Sequence, residues 1–179
     1  MKIKAGQGLI VLLLFLLTSC TVSEQQRFYL GKIDSLQTVL DSATARYLEL
    51  DTLKIAQAET TIKQHLVQFE QLDTIVSDTA KIYAFIEKSL KKFDGEREKI
   101  NEEIVYTNSQ LQALRHDVRK NELTEEEMQR YYGDEEEAVH NLLDKMWFNK
   151  ESAEYQLKSF DYLHEKIEKM LGRYENKDR

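Results

Sequence analysis

Histidines paired with carboxylates are the residues of this 179-residue chain whose spacing suggests chemistry. Glu137 and His140 stand in a Glu-x-x-His arrangement, and Asp161 and His164 repeat it with a shorter carboxylate. Carboxylate-bridged di-iron bundles place such pairs on inward-facing helix positions, together with two further carboxylates converging on the same core. Here the apolar repeat runs through Val139, so Glu137 and His140 fall at heptad positions f and b, which face water. Asp161 and His164 fall at b and e, also off the seam. Both pairs therefore read as solvated charge. His65 lies inside the apolar seam. A histidine there either senses pH by titrating near about pH 6.5 or rests at the core edge against a hydrogen-bond partner, and the second is expected. His116 and Asp117 have no serine or cysteine nucleophile arranged around them. Neither a glycine-rich phosphate loop nor paired Cys/His spacing occurs. The expectation is a non-enzyme with no metal and no cofactor. A ferritin-like metal enzyme is the rival that iron or zinc after purification would reveal.

Charge points the same way. The chain carries a net charge of −7, which argues against nucleic acid and against anionic lipid headgroups as surface ligands. The acidic runs Glu125–Glu127 and Asp134–Glu137 stand at expected helix starts, where negative charge complements the helix dipole. Their spacing is not that of a calcium-binding EF-hand loop. No small-molecule substrate is indicated.

The elements that must position these residues are helices. Proline is absent and glycine is scarce, while Glu, Lys, Leu and Gln abound. One heptad register runs from Ile55 through Ile62, Phe69, Val76, Tyr83, Leu90, Ile104, Leu111 and Val118 at its a positions, broken only by Arg97. Ala58, Leu72, Ile86, Phe93, Ile100 and Leu114 fill d positions, with His65, Thr79, Thr107 and Asn121 as polar members. A sustained seven-residue repeat implies left-handed supercoiling against partner helices. Upstream, Tyr29, Ile33, Leu36, Leu40, Ala43, Tyr47 and Leu50 form the same pattern one residue out of phase, a skip that changes winding without requiring a loop. A second seam holds Val139, Leu142, Met146, Ala153, Phe160, Leu163, Ile167, Met170 and Tyr174, widened by Leu143, Leu157 and Leu171. That breadth suits a helix facing two neighbours.

Ser23 with Gln26, and Thr124 with Glu127, read as capping boxes that start helices. Asn121–Leu123 is then a tight connection between antiparallel neighbours. A further turn is favoured at Asp73–Thr79, where helix-competing polar residues cluster, over one at Asp94-Gly95. The fold expected is all-α: an elongated antiparallel three-helix bundle or coiled coil over residues 23–176, with helices at about 23–74, 78–121 and 124–174. One very long helix pairing with a second chain uses the same seam and stays open.

Phe148, Tyr155 and Tyr162 recur every seven residues at c positions, about 160° around the helix from the seam, with Trp147 beside Phe148. Such rings either pack on the first helix, lie singly exposed, or make a docking surface, since Trp and Tyr are enriched in interface hot spots.

The first residues read differently. Lys2 and Lys4 give a basic start, Leu9–Leu17 an unbroken apolar run, and small residues lead to Cys20, the only cysteine. This is the pattern of a secretory signal peptide over residues 1–19, too short to span a bilayer. Leu17-Thr18-Ser19-Cys20 resembles the lipobox of bacterial lipoproteins. The resemblance implies cleavage before Cys20, a diacylglycerol on its sulfur and an acyl chain on its new amine, with residues 20–22 as a short tether. Several acyl chains together anchor stably where one would not. Thr21 stands where, in that family, an aspartate signals inner-membrane retention, so the resemblance implies the outer membrane, facing the periplasm. The remainder is similar to small coiled-coil lipoproteins of Gram-negative bacteria, through Leu111, Leu114, Asp117, Asn121, Leu123, Glu126 and Tyr131. The function expected is a non-catalytic scaffold or adaptor of the cell envelope, contacting the bilayer through Cys20 and either an envelope protein or another copy of itself. The alternative is a periplasmic holdase chaperone, which would suppress aggregation of several unrelated unfolded clients. A wall tether ending in lysine does not fit the terminal Asn176-Lys177-Asp178-Arg179.

Overall fold

A computed structural model describes residues 23–71 and 77–175. Those residues are almost all helix, with no strand among them: α1 (Glu24–Leu48), α2 (Thr52–Gln71), α3 (Ser77–Lys120) and α4 (Glu125–Glu175). They form an all-α bundle of three passes. α1 and α2 follow one another as the first pass, α3 returns antiparallel to them, and α4 runs parallel to the first pass. Ion pairs of Arg115 with Asp34 at 2.7 Å, Lys145 with Glu103 at 2.6 Å and Lys54 with Asp161 at 2.7 Å, taken with the ring contacts of His65 with Tyr83, Tyr83 with Phe160 and Tyr29 with Tyr132, fix the directions. The longest helix, α4, has 51 residues and so spans about 76 Å. These ion pairs are solvent-exposed and contribute roughly 0–1 kcal/mol each, so the apolar seam is what holds the passes together.

That seam is buried. Ile55, Ile62, Tyr83, Leu90, Leu111, Val118, Val139, Leu142 and Ile167 lose essentially all solvent contact. Arg97, the one charged a position, is half-buried. The core divides into two clusters. One joins Ile33–Tyr47, Ile100–Val118 and Met128–Met146; the other joins Ile55–Phe69, Tyr83–Phe93 and Ala153–Leu171.

The first pass is not the single helix expected over residues 23–74. It breaks at Glu49–Asp51, at the level where one core cluster gives way to the other. The reason is the skipped residue in the heptad pattern. The chain absorbs it by opening the helix once, and supercoil winding does not take it up. Asp51 restarts the helix, its carboxylate accepting the Lys54 backbone N–H at 2.9 Å. Leu50, inside the break, packs against the second cluster. The Asp94-Gly95 turn does not occur either, because α3 passes straight through it. The turn favoured at Asp73–Thr79 falls mostly on residues 72–76, which lie outside those described, and α3 begins at Ser77.

Both capping boxes form. Gln26 N–H donates to Ser23 Oγ while Ser23 N–H donates to Gln26 Oε1, and Thr124 and Glu127 make the same exchange. At the end of α3, Asn121 adopts φ 57°, a left-handed conformation that asparagine tolerates better than most residues. The N–H of Glu122 then reaches the Asp117 carbonyl and that of Asn121 the Val118 carbonyl, the Schellman ending of a helix. Tyr131-Tyr132-Gly133 lies within continuous helix.

Candidate functional site

The aromatic row on α4 stands in solvent. Trp147, Phe148, Tyr155 and Tyr162 are 65%, 70%, 67% and 66% exposed, so none of them packs on α1. Their placement follows from the heptad: seam positions such as Met146, Ala153 and Phe160 take the core, leaving the c positions outside. Phe148 also forms part of the wall of a groove of about 360 Å³ between α3 and α4, whose floor includes Phe93, Ile100 and Asn149. Lys92, Lys99 and Lys145 with Glu96 and Glu103 rim that groove. At the far end of the row, the Lys166 ammonium lies 3.8 Å over the Tyr162 ring and also donates to its hydroxyl. That hydrogen bond and the lysine's charge hold the Tyr162 phenol below its ordinary pKa. The row thus presents exposed apolar rings with a cation at one end. Cys20 lies outside the described residues.

Behind the groove runs a polar layer that joins the two core clusters. The buried Tyr47 hydroxyl donates to Asn149 Oδ1 at 2.7 Å, and burial pushes the Tyr47 phenol up to about 12, with the charge of Arg97 partly opposing the rise. Lys150 donates to the Arg46 carbonyl at 2.7 Å, satisfying an acceptor in the last turn of α1 where the helix breaks. Asn149 and Gln156, both buried, occupy the d positions between Leu142 and Leu163. Sequence reasoning passed over these polar members, although the seven-residue count from Leu142 leads straight to them.

The histidine–carboxylate pairs separate in fate. Glu137 and His140 are exposed, and His140 Nδ1 donates to the Glu136 carbonyl of its own helix. Asp161 is exposed and paired with Lys54. His164 departs from the solvated position expected for it. It is half-buried, because an e position on a helix flanked by two neighbours turns toward the second of them. Its ring stacks on His65, centroids 5.5 Å apart, and on Phe160 at 5.1 Å. Tyr83 covers the other face of His65 at 5.8 Å and closes the ring of aromatics against Phe160 at 6.1 Å. His65 is 5% exposed, and its Nε2 donates to Glu168 Oε1 at 2.8 Å. One nitrogen from each histidine and one Glu168 oxygen lie within 4.8 Å of one another.

No family model, curated protein or solved structure matches this chain. Among the described residues no helix is long and apolar enough to cross a membrane.

Proposed function

We propose that the chain is a membrane-anchored, non-catalytic helical lipoprotein of the bacterial cell envelope that acts as a scaffold or adaptor through protein–protein contacts. The anchor rests on the resemblance of Leu17-Thr18-Ser19-Cys20 to a lipobox, with Cys20 carrying the lipids and the outer membrane, periplasmic face, as its location. The observation that carries the adaptor role is the row of Trp147, Phe148, Tyr155 and Tyr162, about two-thirds exposed along one face of a rigid helix. Rings left in water cost solvation free energy that burial against a partner recovers, at about 25 cal/mol per Å². The groove beside Phe148 gives a partner side chain a seat, and its rim of mixed charge favours an orientation over raw affinity.

The experiment is crosslinking in intact membranes followed by purification with the lipidated protein as bait. A variant with all four rings changed to serine should keep its helical content and its membrane attachment while losing the captured protein. Cys20→Ser should release the chain from the membrane fraction. Unchanged capture by the serine variant refutes the docking face, and full membrane retention of Cys20→Ser refutes the anchor. Loss of helix in the serine variant would place the rings in the fold.

A further inference from the structure

We propose that His65, His164 and Glu168 form a binding site for one divalent first-row transition cation, with Zn²⁺ as the probe of choice. Three features converge at this end of the bundle. First, α2 contributes His65 while α4 contributes His164 and Glu168 at i and i+4, so that both α4 residues share one face of their helix. One potential ligand atom from each of the three lies within 4.8 Å of the others. Second, the donors are chemically apt: imidazole nitrogen with carboxylate oxygen suits zinc and its neighbours in the series, and two histidines with one carboxylate leave further coordination positions open. Third, the histidines keep unmet capacity. Nδ1 of His65 and Nδ1 of His164 are both buried without a hydrogen-bond partner, although His65 is 95% removed from solvent by its 5% exposure. Buried polar nitrogens normally find partners, so the bare Nδ1 of His164 calls for an explanation that a ligand role supplies. His65 would instead meet the ion through Nε2 and keep its own Nδ1 unpaired.

The surroundings allow an ion to arrive. A pocket of about 230 Å³ lined by Gln64, His65, Gln68, Glu168, Leu171 and Gly172 opens the His65–Glu168 side of the site to solvent. It provides room for water in the remaining coordination positions. Glu168 is more than half exposed, so its carboxylate swings at little cost. The hydrogen bond it now accepts from His65 Nε2 is 2.8 Å long, shorter than the spacing of two ligands on one zinc ion. Binding would spread this pair, replace the proton between them with the metal, and turn the His164 ring out of its near-parallel stack on His65 so that both imidazole lone pairs reach the ion. An ion held there bridges α2 to α4 near the end of the first pass. It would tether the shorter segment beyond the Glu49–Asp51 break.

The competing explanation is a hydrogen-bonded aromatic stack with no affinity for metal. Full-length chain purified in detergent and stripped with EDTA separates the two. Zn²⁺ titration by calorimetry should show one equivalent bound, the thermal midpoint should rise, and Co²⁺ should give the intense visible bands of a low-coordinate nitrogen–oxygen site. Glu168→Gln, which alters an exposed side chain and leaves the core untouched, should weaken binding by roughly tenfold or more. His164→Gln should do the same. His140→Gln, on a remote exposed surface, and Cys20→Ser, which removes the one thiol, should leave affinity unchanged. Absence of Zn²⁺ binding by the parent chain overturns the proposal, as does binding that survives both Glu168→Gln and His164→Gln in proteins of unaltered helical content.

Discussion

Removing a hydroxyl from either of two buried tyrosines should move stability in opposite directions. Tyr47 donates to Asn149 Oδ1 inside the polar layer, so Tyr47→Phe leaves a buried amide oxygen without its partner. That costs about 1–3 kcal/mol. Tyr83 is fully buried and its hydroxyl has no hydrogen-bond partner, so the folded state already carries the desolvation of that group uncompensated. Tyr83→Phe keeps the ring that stacks on His65 and removes the uncompensated atom, which should stabilise by about 1 kcal/mol. Urea unfolding in EDTA, followed by far-UV circular dichroism, measures both. At roughly 2–4 °C per kcal/mol for a chain of this size, the thermal midpoints of the two variants should differ by several degrees with the parent between them. A Tyr83→Phe protein as destabilised as Tyr47→Phe would refute the reasoning. It would mean that the Tyr83 hydroxyl has a partner in solution, such as a buried water.

Alkaline pH should weaken the fold through the same class of residue. Burial, foremost, pushes the phenols of Tyr47 and Tyr132 each up to about 12, and the Tyr132 hydroxyl also donates to Glu136. An unfolded tyrosine ionises near about pH 10, so between that pH and about 12 the unfolded state releases protons that the folded state retains. Stability is therefore intact below about pH 10 and falls as pH rises toward 12. A Tyr47→Phe/Tyr132→Phe double variant should lose stability less steeply across that window; an identical slope would show that these phenols are not the cause. Gly95→Ala and Gly133→Ala, both in helix interiors where an added Cβ meets nothing within 4 Å, should each stabilise by about 0.5–1 kcal/mol in the same unfolding assay. Destabilisation by either would reveal a local break in the helix concerned.

The heptad seam was readable because burial on a helix obeys a fixed period: nearly every apolar a and d position from Ile55 to Val118 that the structure describes is buried. The turn after Lys120 was legible for a local reason, since the Thr124–Glu127 box and a left-handed Asn121 are both short-range chemistry. The break at Glu49–Asp51 was not. A single extra residue can be absorbed by winding or by opening the helix, and periodicity does not distinguish the two. Nor did the sequence show His65 meeting His164. A seven-residue repeat specifies which face of each helix is buried but leaves the sliding register between passes open by whole heptads, and one such shift would separate the two rings. The exposed aromatic row lay between these extremes, its c positions marking it as outward-facing without naming what it meets.

Three passes, an odd number, leave the two ends of the described chain at opposite tips of the bundle. Ser23 starts beside the end of α3, where Gln26 grips the Val118 carbonyl, whereas Gly172 lies with Gln64 and Gln68 at the other extremity. Tension applied between those ends therefore runs along the helix axes. Neighbouring passes must slide over their full interdigitated length before any of them parts, and they cannot peel away one turn at a time. The architecture resists stretching as a lap joint does, loaded in shear along the roughly 76 Å of α4.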